Sequence, residues 1–75
     1  MVLYVRELTE EEEAELREWA MSDDGELRHR AQLILLSKEG YRIPEIGPQL
    51  FAHPANLRKW IHRFNEEGLK GLVTK

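Results

Sequence analysis

Residues 43–68 read IPEIGPQLFAHPANLRKWIHRFNEEG, and the turn inside this stretch decides the fold. Pro54 suits the first turn of a helix, where its missing amide hydrogen breaks no hydrogen bond. Leu57, Trp60, Ile61 and Phe64 follow at spacings i, i+3, i+4 and i+7, which is one apolar helical face. Gly68 can end that helix. The pattern predicts a helix over 54–67 with Trp60 facing inward. Upstream, Pro44 opens a shorter helix over 44–51, whose apolar side is Ile46 and Leu50. Gly47 and Pro48 interrupt it. A proline there lacks an amide hydrogen and crowds the carbonyl four residues back. The helix is therefore expected to be short, bent or partly 3₁₀, with Phe51-Ala52-His53 as the turn that follows.

Working toward the N-terminus, Gly40 can terminate a helix over 25–39, whose inward side is expected to be Leu27, Ala31, Ile34 and Leu35. Arg28 and Arg30 lie on its other faces. Phosphate contact and pairing with carboxylates of the preceding helix fit them equally. Ser22-Asp23-Asp24-Gly25 is a break that supplies an N-cap. Before it, Thr9 and Glu12 form a capping box for a helix over 10–21, with Leu16, Trp19 and Ala20 as its apolar stripe. Glu10 to Glu13 crowd the positive end of that helix dipole. Residues 1–8 form an extended segment, read as coil in preference to a strand that pairs with a second copy. The expected architecture is an all-α, four-helix bundle over 9–75.

Composition bounds the function. A chain of 75 residues, 41% apolar, can bury one small core but not a deep substrate cleft. It has no cysteine, which excludes disulfides and thiolate zinc sites and suits a reducing cytoplasm. The longest apolar run, Leu33 to Leu36, cannot span a bilayer. The net charge of −3 is unevenly spread: residues 1–26 hold ten acids and two bases, and residues 27–75 hold four acids and nine bases. Because salt screens charges beyond about 10 Å, a net-negative chain can still present a basic face to phosphate.

Two short helices joined by about three residues form a helix-turn-helix, in which the first helix braces the second for the major groove of DNA. On the second helix the outward positions are Asn56, Arg58, Lys59, His62 and Arg63, with Ala55 small enough to approach a base. Arginine and lysine can donate to guanine edges or phosphates, and asparagine can pair with adenine. Ala55, Asn56 and Lys59 are expected nearest the base edges. Arg58, His62 and Arg63 are expected along the backbone.

The stretch RAQLILLSKEGYRIPEIGPQLFAHPANLRKWIHRFNEEGLKGL, residues 30–72, resembles the N-terminal helix-turn-helix region of mariner-like bacterial insertion-sequence transposases and related stand-alone helix-turn-helix proteins. The shared elements are Leu8 to Glu12, Arg30 to Leu36, Gly40, Ile43 to Gly47, and Trp60 to Leu72, of which RFNEEGLKGL is the most specific. The resemblance implies a homeodomain-like bundle that recognises a DNA sequence, as part of a transposase or as a small transcription regulator. It carries Asn56, Arg58, Lys59, His62 and Arg63 over as DNA contacts. The family pattern has alanine where Gly47 stands and glycine where Phe51 stands. Its catalytic domain, with metal-binding acids, has no counterpart here.

Other classes have less support. His29, His53 and His62 share no metal-ligand spacing, and no paired carboxylates, nucleophile or phosphate loop occurs. No catalytic activity, cofactor or metal is expected. The rival is a protein-interaction module on the same fold, a homodimer formed through the N-terminal segment and the first helix, with weak or no DNA binding.

Overall fold

The computed structural model describes residues 3–73. Helices α1 (Glu10–Trp19), α2 (Gly25–Lys38), α3 (Ile43–Leu50) and α4 (Pro54–Glu67) are followed by a 3₁₀ turn, Gly68–Leu72. No strand occurs among the described residues. Three helices, α1, α2 and α3, stop one or two residues short of the expected ends, and α3 starts one residue early.

Local chemistry fixes each start. The Glu12 amide donates to Thr9 Oγ1 and the Thr9 amide to Glu12 Oε1, both at 3.1 Å, which completes the capping box. Asp24 accepts from the amides of Glu26 and Leu27 at the head of α2. His53 does the same for α4, its Nδ1 accepting from the Ala55 amide at 3.2 Å.

The core joins Leu16 of α1, Ala31, Leu33 and Ile34 of α2, Ile43, Ile46 and Leu50 of α3, Leu57, Ile61 and Phe64 of α4, and Leu72. The expected inward face of α2 needs correction. Leu33 is buried, while Leu27 and Leu35 are only half-buried. The reason is that α2 packs on α1 and also on α3 and α4. A helix packed against several neighbours needs apolar residues on more than one side, so a single stripe misrepresents it.

Pro48 leaves α3 a short helix of 8 residues, α-helical throughout, which meets the first of the three expected forms and not the 3₁₀ one. The bond it removes is the one to the Pro44 carbonyl, and both prolines are exposed, so water can satisfy that oxygen. The helix then ends abruptly. Phe51 adopts φ 53°, ψ 44°, and the Ala52 amide returns to the Gly47 carbonyl at 3.1 Å. A Cβ at position 47 would stand 3.2 Å from the Ala52 oxygen, so glycine in the helix lets the turn close. Left-handed backbone costs an L-residue roughly 1–2 kcal/mol.

Residues 3–9, before α1, are coil laid on the bundle. The Val5 amide donates to Ser37 Oγ at 2.8 Å, and the Arg6 amide to Asn65 Oδ1 at 2.8 Å. Asn65 Nδ2 in turn donates to the Tyr4 carbonyl at 3.4 Å. The Arg6 guanidinium grips both oxygens of Glu12 at 2.9 and 2.7 Å and lies 4.7 Å from the Phe64 ring centre. That grip, with lesser help from Thr9, lowers the Glu12 carboxyl to about 2.

Candidate nucleic-acid interface

Helix α4 rests on the core through Leu57, Ile61 and Phe64. At about 100° per residue, Ala55, Lys59, His62 and Glu66 point the opposite way. Asn56 and Arg63 flank them on the side of Trp60, and Arg58 lies on the other flank. Ala55, Asn56, Arg58, Lys59 and His62 are all exposed. Arg63 is half-buried: its Nε donates to the Gly71 carbonyl at 3.1 Å.

No carboxylate among the described residues lies within salt-bridge distance of Arg58, Lys59 or Arg63. The helix carries no acid from Pro54 to Asn65, and the first ones, Glu66 and Glu67, fall in its last turn. Of the acids in residues 1–26, Glu26 lines a cleft with Asn56 and Trp60 and pairs with Arg30, while Glu12 and Glu13 are bound away from α4. Glu13 binds Lys38 and Arg17, each at 2.8 Å, and these contacts lower its carboxyl, Lys38 foremost. Helix α1 packs chiefly on α2.

Trp60 is not the core aromatic expected from its spacing. It is half-buried, and Phe64 fills the centre instead. The Trp60 ring is surrounded by cations: Arg30 at 4.0 Å, Lys59 at 5.1 Å and Arg63 at 5.3 Å from its centre. Arg30 also donates to the Leu72 carbonyl at 3.0 Å and pairs with Glu26 at 3.0 Å. Neither Arg30 nor Arg28 pairs with α1; the Arg28 guanidinium donates to the Ser22 carbonyl at 3.0 Å. Sequence reading missed that Arg30 of α2 stacks on Trp60 at the edge of α4, with its side chain only 16% exposed and paired with Glu26. The signal was a tryptophan at the border of an apolar stripe, which favours a site with one wet edge. A cleft of about 180 Å³ lies at this border, walled by His29, Arg30, Asn56 and Trp60 over Leu33 and Leu57.

The 3₁₀ turn holds these cations in place. A Cβ at Gly71 would meet the Arg63 carbonyl oxygen at 2.5 Å, so only glycine lets the tail lie against the end of α4. Leu72 is thereby buried, and the Gly71 and Leu72 carbonyls are set where Arg63 and Arg30 donate to them.

Among the described residues no group of three or more His, Asp or Glu side chains could hold a metal, and no helix is long and apolar enough to cross a membrane.

A short brace helix, a tight left-handed turn and a second helix with an outward polar face, all supported by α2, define a helix-turn-helix domain of the kind that binds DNA. A family model described as a homeodomain-like domain matches residues 24–73, from the α2 cap to the end of the 3₁₀ turn, and the chain belongs to that family. Neither a curated protein nor a solved structure gives a significant match. Domains of this family are typically DNA-binding modules without catalytic activity of their own.

Proposed function

We propose that the chain binds a particular sequence of double-stranded DNA by placing α4 in the major groove. It would act as the recognition domain of a transposase-type protein or as a small cytoplasmic regulator, with 9–75 as the binding unit. The observation that carries this is the outward face of α4, where Arg58 and Lys59 stand exposed without a carboxylate partner. Neither cation has a carboxylate partner among the described residues, and Lys59 has only the Trp60 ring, 5.1 Å away. A polyanion supplies an anionic partner, and counterion release adds affinity.

Asn56, Lys59 and Ala55 take the base edges in this reading, and Arg58, His62 and Arg63 take phosphates. Arg63 is anchored through Nε to the Gly71 carbonyl. Its terminal nitrogens remain for a phosphate, and the anchor limits how far they can wander. Selection from a random duplex pool, followed by anisotropy titration at several salt concentrations, tests the proposal. Arg58→Ala should weaken binding and lower the salt slope by about 1, and Lys59→Ala should weaken binding and relax the base preference at one position. A wild-type chain with no salt-dependent retention on any duplex would refute it.

Tyr4 and Met21 are exposed apolar side chains near the N-terminal segment and α1, and they favour a second reading, a homodimerising interaction module. Against strand pairing in such a dimer, the Val5 and Arg6 amides are already bound to Ser37 and Asn65. Sedimentation of the chain as a stable dimer that ignores DNA would favour that reading.

A further inference from the structure

Phe51 combines two features that are each costly. It is the one non-glycine residue with positive φ among those described, and its side chain is 95% exposed. A bulky residue with this backbone is a true outlier, and such strain persists where the surroundings enforce it, often at functional sites. Packing does not explain the phenylalanine, because the ring contributes nothing to the core. Glycine would adopt the same turn without strain.

The surroundings of the ring are rigid and apolar. Phe51 shares a shallow groove with Pro44, Pro48, Ala52, His53 and Pro54. Three prolines fix their own backbones, so little conformational freedom would be lost when something docks there. The groove runs directly into the first turn of α4, where Ala55 and Asn56 are exposed. It thus adjoins the end of the recognition helix that enters deepest.

We infer that Phe51 is a DNA-contacting residue, held beside the start of α4 to touch an apolar part of the duplex, either a thymine methyl group or the face of a deoxyribose. The inference rests on the DNA-binding reading above and adds an apolar contact to a face otherwise made of cations and amides. Phenylalanine is among the side chains that can pack on a thymine methyl. The patch is one aromatic ring and a few prolines, small beside the roughly 800 Å² per partner of a standard protein interface. The helix adjoining it has cations and no acid over its first three turns, which favours a polyanion over a protein.

The test compares the wild-type chain with F51G, F51A and K59A on a duplex selected by the wild type, by anisotropy over a range of salt and by thermal melting. F51G should melt higher than wild type, because the turn is relaxed, whereas F51A keeps a Cβ and should not. Both should bind the selected duplex about tenfold more weakly. Their salt slopes should stay at the wild-type value, because an apolar contact releases no counterion. The Arg58→Ala variant described above should show a reduced slope. Replacing each thymine in turn by deoxyuridine separates the two sources. Weakening at one position in wild type but not in F51G identifies the methyl group. Indifference at every position, with F51G still weakened, identifies the sugar.

F51G and F51A binding as tightly as wild type, while K59A is weakened, would overturn the inference and leave the DNA-binding reading standing. A wild-type chain that binds no duplex would sink both. A dimer lost in F51G with no change in DNA affinity would assign the patch to a second copy and also overturn the inference.

Discussion

The two ends of the helical bundle handle charge and strain in opposite ways. Around α1, Arg6 holds Glu12, Glu13 holds Arg17 and Lys38, and the capping box closes the first turn. Around the turn and α4, Arg58 and Lys59 have no such partner, and Phe51 is strained and exposed. Stabilising contacts thus concentrate in one region, and the face proposed for DNA lies in the other. The N-terminal region ties Arg6, Glu12 and Glu13 to partners inside the molecule and leaves its other glutamates in water. The region from 51 to 63 pairs none of its cations with a carboxylate among the described residues and carries the strained turn.

The largest expected effect breaks that support. Phe64 is fully buried beneath both regions, under Arg6 on one side and within α4 on the other. Phe64→Ala should cost about 3–5 kcal/mol, a large share of what so small a core supplies. Thermal melting checks this. Trp60→Ala should cost less, since that ring is half-exposed, and equal losses for the two variants would mean the core is centred elsewhere.

A smaller effect concerns acid. The Glu12 carboxyl is lowered from an ordinary 4.5 to about 2. A carboxylate depressed in the folded state stabilises above its unfolded value, and that contribution is lost as pH falls from about 4.5 toward about 2. The melting temperature of the wild type should therefore drop across this window. Glu12→Gln should be less stable at neutral pH and show a shallower drop. The same steepness in both proteins would assign the acid sensitivity to other carboxylates.

The smallest effect sharpens the contrast from the other side. Glu11 is exposed and makes no salt bridge with the described residues. Glu11→Gln should leave stability within about 0.5 kcal/mol. It should also leave DNA affinity unchanged, as measured by melting and by anisotropy at physiological salt. A marked rise in affinity would show that the acids of α1 reach the binding face.

Much of the fold was legible because helix ends are written locally. Thr9 with Glu12, Asp24, Pro54 and Gly68 mark starts and a stop within a few residues of where they act, and the observed spans follow them closely. Depth was less legible. Trp60 and Phe64 both fall on the apolar stripe of α4, and periodicity cannot rank them. What distinguishes them is Arg30, which stacks on Trp60 from another helix. The N-terminal segment shows the same limit, because Ser37 and Asn65 hold it from 32 and 59 residues away. The exposed polar positions of α4 could be read from spacing. The tether of Arg63 could not, since it depends on the tail folding back at Gly71.

That fold-back makes the last few residues more than a terminus. The carbonyls of two successive residues, 71 and 72, each steady a different guanidinium, one from α4 and one from α2. Peeling the tail away would release the Arg63 Nε, leave Arg30 only Glu26 and the Trp60 ring, and uncover Leu72. The rigidity of the basic surface and the order of the final turn therefore rise and fall together.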